Sequence, residues 1–267
     1  MSVGHYENFP VASLLLPPAL REPVGVIYRF ARSADDIADE GNDPPRLRLA
    51  RLQEFRLELE GINSGRAPQI PLFADLARVV REHRLPVPLF QDLLDAFSQD
   101  VVKKRYADFA ELLDYCRRSA NPIGRLLLIL FGNDTAENCR RSDAICSALQ
   151  IINFWQDIEI DHARGRVYLP EDEMRDFGVS EQHIAAQNCD RAWTGLIKFQ
   201  TERARNLILS GSTLGRELPG RIGLEIRVTV QGGLRILEKL ERAGYDMFRR
   251  RPVLKWFDWP LLVWRAR

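Results

Sequence analysis

The chain has 267 residues, of which 45% are hydrophobic, so a large buried core can form. Its 38 lysines and arginines are balanced by 37 aspartates and glutamates, which leaves no excess charge for binding nucleic acid. The four cysteines form no CxxC pair and have no histidine at zinc-ligand spacing, so we expect reduced thiols in a cytoplasmic protein and no zinc site.

Strand patterns are scarce, and proline, glycine, asparagine and aspartate divide the chain into helical segments. We expect an all-α protein with one domain over residues 1–267, because no Gly/Ser-rich or low-complexity linker interrupts it. Residues 1–18 predict neither a signal peptide nor a membrane span. The segment 165–178 is predicted to be irregular, with one helical turn at 171–177. The predicted helices cover 21–40, 45–61, 72–83, 88–103, 108–131, 135–162, 190–210 and 221–248.

Two acidic clusters, more than a hundred residues apart, repeat at helical spacing. The pairs that share a helix face are Asp35 with Asp39, Asp36 with Glu40, and Asp157 with Asp161. Each like-charged pair destabilises a helix by about 0.2–0.5 kcal/mol, so we expect a cation to offset the repulsion. Mg²⁺ prefers oxygen ligands and commonly joins carboxylates to a substrate phosphate. The two clusters therefore predict a magnesium site that holds a diphosphate.

The neighbouring residues suit the same chemistry. Tyr28 and Arg32 share the helix face of Asp35, while Gln150 and Asn153 share that of Asp157. Arginines and amides can orient a leaving diphosphate, and aromatic rings can stabilise a carbocation. Three further residues with these properties follow the second cluster, namely Arg164, Arg166 and Tyr168. The pattern predicts loss of diphosphate assisted by a metal.

Residues 28–39 resemble the first aspartate-rich motif of squalene and phytoene synthases. Residues 150–161 resemble the second motif of that family, and 164–170 resemble the segment that follows it. The resemblance implies an all-α isoprenoid-synthase bundle around a central active-site cavity, with a prenyl diphosphate as substrate. It also implies two to three Mg²⁺ ions, bound by Asp35, Asp36, Asp39, Asp157 and Asp161. Tyr28 and Arg32 are then catalytic, and they contact the substrate together with Gln150, Asn153, Arg166 and Tyr168.

Within the family, residues 5–13, 35–41 and 119–124 are most similar to the hydroxysqualene synthases of bacterial hopanoid biosynthesis. That branch implies conversion of presqualene diphosphate to hydroxysqualene by water capture, without NADPH and beside other squalene-pathway enzymes. It places His5, Phe9 and Tyr245 near the substrate, and Phe30 is a further candidate for the cavity wall. Gln156 departs from the arginine that many carotenoid-type relatives carry, which indicates altered substrate handling.

Several alternatives stay open. A prenyltransferase that joins two prenyl diphosphates head to head, making presqualene diphosphate, squalene or phytoene, would share every metal residue, and a non-catalytic scaffold is a third interpretation. Tyr28, Phe9, Tyr168 and Tyr245 could equally be core residues. The Trp-rich tail at 252–267 predicts either docking on the helical core or contact with the inner face of the cell membrane.

Overall fold

The structure is a computed structural model, and it describes residues 16–267, all of whose regular elements are helices. Four helices form the N-terminal part: α1 (Pro18–Asp39), α2 (Pro45–Ser64), α3 (Pro71–His83) and α4 (Val87–Val102). The central part contains α5 (Phe109–Ser119), α6 (Asn121–Leu130), α7 (Ala136–Gln156), α8 (Ile158–Ala163), α9 (Glu171–Asp176) and α10 (Glu181–Ala185). The C-terminal part contains α11 (Arg191–Gly211), α12 (Leu214–Glu217), α13 (Gly220–Arg242), a 3-10 turn (Trp256–Asp258) and α14 (Trp259–Arg265). The all-α prediction is confirmed.

The apolar side chains form two buried clusters. One lies among α1 to α4, where Phe30 meets Phe55, Phe73 and Phe90 at ring-centroid distances of 5.3–6.2 Å. The other surrounds α7, α11 and α13 and includes the fully buried Trp155. The prediction that Phe30 lines the cavity is wrong. Two residues along a helix turn the side chain by about 200°, so Phe30 points away from the face that carries Tyr28.

Two of the predicted long helices are interrupted. The helix predicted at 108–131 breaks at Ala120, because Pro122 has no backbone N–H to continue it and instead begins α6. The helix predicted at 135–162 breaks at Asp157, whose backbone has φ −109° and ψ 14°. The second break falls on a predicted metal ligand, Asp157.

Glycine contacts bring the central helices close together. A side chain at Gly124 on α6 would lie 2.3 Å from Oγ of Ser142 on α7. A side chain at Gly233 on α13 would lie 2.7 Å from Ile208 and 2.9 Å from Leu149. The absence of a side chain at these glycines lets α6 approach α7 closely, and lets α13 approach α7 and α11 closely.

The chain turns sharply after α13. The helix predicted to reach residue 248 ends at Arg242, and Gly244 and Tyr245 both take positive φ, 64° and 62°. Segment 246–255 then crosses back to α14, which was not predicted and which packs along α13 through Leu262 and Ala266. The four cysteines are free thiols. In residues 16–267, every helix is too short or too polar to cross a membrane.

Candidate active site

The first acidic cluster lies on the last two turns of α1. Arg32 is close to Asp35 at 3.2 Å and Asp36 at 2.7 Å, and its guanidinium also contacts Glu40 at 2.8 Å. These spacings of three, four and eight residues follow from the helical repeat, which places all four side chains on one side of α1. One arginine thus partly neutralises three carboxylates.

The structure brings the two acidic clusters together through Arg166. Its guanidinium donates to both carboxylate oxygens of Asp39, at 2.5 and 2.9 Å, and to Asp161 at 3.3 Å. Arg164 contacts Asp39 as well, at 3.3 Å. Asp39 ends α1 and Asp161 lies on α8, so one buried arginine joins residues that are far apart in the sequence.

Asp157 has a partner that sequence analysis missed. Arg251, in the segment that crosses back from α13, donates to Asp157 at 2.6 Å. The adjacent Gln156 donates its amide to the carbonyl of Pro252 at 2.7 Å. Gln156 therefore anchors segment 246–255 against α7, and Arg251 supplies a cation beside the second cluster. A run of three arginines at 249–251 was the available signal, but no local spacing connected it with Asp157.

Burial raises the pKa values of two of the clustered acids, Asp35 and Asp161. Desolvation, followed by the charge of Asp39, raises the pKa of Asp35 to about 7, although Arg32 opposes the shift. Desolvation also raises the pKa of Asp161 to about 6, against the opposing charge of Arg166. Both shifts mean that a negative charge is unfavourable at these buried positions, and a cation bound beside them would relieve that penalty.

A cavity of about 360 Å³ extends from the first cluster into the bundle. Along α1 its wall passes from Val24 and Ile27 to Tyr28, Arg32 and Asp35. Along α7 it passes from Ser142 and Ile145 through Leu149 to Gln150. The remaining wall is mostly apolar and comes from α6 and α13, with Ile123, Leu127, Ile226 and Thr229 among its residues. Arg32 and Asp35 give the cavity a charged end, Glu225 of α13 adds one more charged group, and the interior is mostly apolar.

Tyr168 belongs to a buried polar network rather than to the wall of this cavity. Its ring stacks on Phe154 with centroids 3.8 Å apart, and its hydroxyl donates to Asp100 at 3.3 Å. Tyr115 donates to the other oxygen of Asp100 at 2.5 Å. Burial raises the pKa of Asp100 to about 7 even though the Tyr115 hydrogen bond lowers it. A small pocket beside Tyr168 is also lined by Asp161 and Arg166. The network therefore lies directly next to the second acidic cluster.

The other predicted residues lie in different places. Asn153 is half-buried on α7, one turn before Asp157. Tyr245 packs against the core, and the charges that affect its pKa are those of Glu241, Glu202 and Arg205 rather than those of the two acidic clusters. His5 and Phe9 lie outside the described residues.

The acidic side chains have the chemistry of a magnesium site but are paired with arginines as they stand. Within residues 16–267, no three His, Cys, Asp or Glu side chains are close enough to hold an ion in this arrangement. Each predicted ligand instead contacts a guanidinium, from Arg32, Arg164, Arg166 or Arg251. Carboxylate oxygens fit a hard divalent ion, which could replace part of this positive charge.

A sequence profile described as squalene/phytoene synthase matches residues 3–258 of this chain. The chain belongs to the squalene/phytoene synthase family. The hydroxysqualene synthase of Rhodopseudomonas palustris is 36% identical over 237 residues, which cover 88% of this chain and 80% of that protein. The 15-cis-phytoene synthase of Synechococcus elongatus is 26% identical over 263 residues, 94% of this chain and 85% of that protein.

Solved structures agree with this assignment. The squalene synthase HpnC of Alicyclobacillus acidocaldarius is 36% identical, covers 90% of both chains and has a TM-score of 0.83. The all-α isoprenoid-synthase fold expected from the two motifs is therefore confirmed, and the chain is an enzyme of a family that acts on prenyl diphosphates.

Proposed function

We propose that this enzyme converts presqualene diphosphate to hydroxysqualene in bacterial squalene and hopanoid biosynthesis, with loss of diphosphate and capture of water. The observation that carries the proposal is the cavity, which joins a charged end at Asp35 and Arg32 to a long apolar interior. A diphosphate fits the first part and hydrocarbon chains fit the second. The similarity to the Rhodopseudomonas palustris hydroxysqualene synthase supports this choice of reaction.

Asp35, Asp36, Asp39, Asp157 and Asp161 would hold two to three Mg²⁺ ions in this mechanism. The bound ions would supply positive charge that stabilises the departing diphosphate. Arg32 lies where it can contact the same group, because it lines the cavity beside Asp35. Arg166 and Arg251 add positive charge next to the second cluster.

The cavity wall would protect the carbocation that remains. When the carbon–oxygen bond breaks, its electron pair leaves with the diphosphate and the hydrocarbon becomes a cation. Tyr28 lines the cavity one helical turn before Arg32 and can face this cation with its ring. Apolar side chains exclude bulk water, so that a single water can add to the cation and lose its proton. No step requires a hydride, and we propose that NADPH is not used.

The test is a product assay on the purified enzyme with Mg²⁺ and without NADPH. Presqualene diphosphate and farnesyl diphosphate are offered separately. We expect hydroxysqualene and diphosphate from the first substrate and no consumption of the second. Consumption of farnesyl diphosphate would contradict the proposal, and so would the absence of any turnover, which would favour a scaffold role.

A second candidate is a prenyltransferase that joins two prenyl diphosphates. Similarity to the Synechococcus elongatus phytoene synthase over 94% of the chain supports it, and both reactions would use the same acids. Gln156 favours the first candidate, because many carotenoid-type relatives carry an arginine there, whereas this amide donates to the carbonyl of Pro252 and the cation beside Asp157 comes from Arg251.

The hydrophobic substrate and product lead to a proposal about location. We propose that the enzyme works in the cytoplasm, at the inner face of the cell membrane, where such molecules accumulate. Contact with the enzymes that make presqualene diphosphate and consume hydroxysqualene would shorten the transfer of both. Co-purification of tagged enzyme with membrane fractions tests the first part of this proposal.

A further inference from the structure

An apolar surface is exposed at the C-terminal end of the described chain. It consists of Trp256, Phe257, Trp259, Val263 and Trp264, which we call the tail surface. Trp256 is 82% exposed, Trp264 67% and Phe257 52%. These five residues account for nearly half of the exposed large hydrophobic side chains within residues 16–267. Since exposed tryptophan is uncommon in a soluble protein without a partner, the concentration indicates a binding surface.

The tail surface is rigidly attached to the bundle. Leu262 and Ala266 are buried against the core, and Trp264, two residues from each, lies on the opposite side of the helix. Asp258 is also buried and accepts hydrogen bonds from Arg235, at 2.9 Å, and from Lys239. The α14 helix therefore has one face fixed on α13 and one face directed outward. The two alternatives predicted for the tail, docking and outward contact, describe different faces of the same helix.

The charge around the tail surface is positive. Residues 249–267 contain six arginines and lysines and one acid, Asp258, which is buried and paired. Three of the six are in ion pairs, Arg249 with Asp246, Arg251 with Asp157 and Arg265 with Glu238. Lys255 and Arg267 are exposed beside the aromatic side chains, so the net charge there is still positive. Tryptophan together with basic residues is the combination that favours the interface of an anionic bilayer, because indoles lie at the headgroup level and the cations face phosphates.

One helix separates the tail surface from the cavity. Arg227, Arg235 and Lys239 of α13 bind the backbone or side chains of segment 253–266. Glu225, Ile226 and Thr229 of the same helix line the cavity. A bilayer at the tail surface would thus lie a single helix away from the apolar interior of the active site.

We propose that the tail surface docks the enzyme on a lipid bilayer that contains anionic headgroups, with the indoles of Trp256 and Trp264 in the interface. The proposal concerns where the protein binds and does not depend on which prenyl diphosphate it converts.

The test is co-sedimentation of the full chain with vesicles of phosphatidylcholine alone and of phosphatidylcholine mixed with phosphatidylglycerol. We expect binding that is stronger with phosphatidylglycerol and is weakened by salt. The double variant Trp256→Ser, Trp264→Ser should bind at least about tenfold more weakly, because it loses most of the inserted aromatic area. A matched control, Leu57→Ser with Val102→Ser, removes exposed apolar side chains from α2 and α4 and should bind as the wild type does.

Tryptophan fluorescence provides a second measurement. Trp155 and Trp193 are fully buried, so a blue shift on adding vesicles would come from the tail surface. Brominated lipids should quench the wild type much more strongly than the double variant, which keeps only one tryptophan, Trp259, in the tail surface. Absence of vesicle binding, or equal binding by the double variant, would overturn the proposal. A dimer that forms without lipid and is lost in the double variant, with no vesicle binding, would show that a second copy of the chain occupies this face and would equally overturn it.

Discussion

Replacing Arg166 with methionine tests how the two acidic clusters are held together. The arginine side chain is only 9% exposed and contacts Asp39 and Asp161, which are themselves mostly buried. Methionine keeps much of the length of the side chain but leaves two carboxylates facing each other without their shared cation. Breaking a buried ion pair from one side destabilises a protein by about 3–5 kcal/mol. For a chain of this length we expect a fall in melting temperature of roughly 6–15 °C.

A surface pair provides the control. Arg125 makes a comparable bidentate ion pair with Asp143, with hydrogen bonds of 3.0 and 2.6 Å, but its side chain is 42% exposed. Arg125→Met should change the free energy of unfolding by about 1 kcal/mol or less, because exposed pairs are solvated and screened. Both variants and the wild type are compared by thermal and urea denaturation at neutral pH.

The same variants test the metal site without an activity measurement. If a divalent ion can take the place of the guanidinium, millimolar Mg²⁺ should raise the melting temperature of Arg166→Met more than that of the wild type or of Arg125→Met. The electrostatic link between the clusters would be refuted if the melting temperatures of Arg166→Met and Arg125→Met differed by only about 1–2 °C. Such a difference corresponds to less than about 1 kcal/mol in the free energy of unfolding. An equal Mg²⁺ response in all three proteins would refute the metal assignment at this place.

Three further predictions concern other parts of the structure. Asp36→Asn and Asp157→Asn should each lower turnover by at least about a hundredfold while circular dichroism and melting temperature stay near wild type; near-normal turnover would remove them from the metal site. Asp100 has a folded pKa of about 7, above the ordinary value of 3.8, so its ionisation reduces stability as the pH rises from about 4 to 7. Asp100→Asn removes that contribution, and its stability relative to wild type should improve by about 2–3 kcal/mol between pH 5 and 8 in urea denaturation, whereas a constant difference would contradict the assignment. Gly233→Ala should destabilise the bundle by about 1–3 kcal/mol, since the added methyl meets Leu149 at 2.9 Å, and an unchanged melting temperature would show that the helices can separate at low cost.

The arginine contacts explain how five acids can be gathered without a bound ion. Arg32 forms ion pairs with the first cluster, and Arg251 forms one with Asp157. Arg166 contacts an acid of each cluster, Asp39 and Asp161. In the proposed reaction, Mg²⁺ ions would bring positive charge and the phosphate oxygens would provide new acceptors for the arginines. The net charge of the site would then change little, so that substrate and metal would favour each other's binding.

Local sequence patterns determined most of the helices and the composition of the site. The predictions at 45–61, 72–83, 88–103 and 190–210 correspond to α2, α3, α4 and α11, because prolines or capping residues start these helices and apolar residues repeat at helical spacing. The acids and their neighbours on α1 could be placed on one face for the same reason. The order of the two motifs was enough to indicate the family.

Tertiary structure alone decided which groups meet. Arg166 contacts Asp39 across 127 residues of sequence, and Arg251 contacts Asp157 across 94. Asp100 accepts hydrogen bonds from the hydroxyls of Tyr115 and Tyr168. Helical spacing describes neighbours within one or two turns and contains no information about such distant contacts. The two faces of α14 likewise differ because α13 covers only one of them.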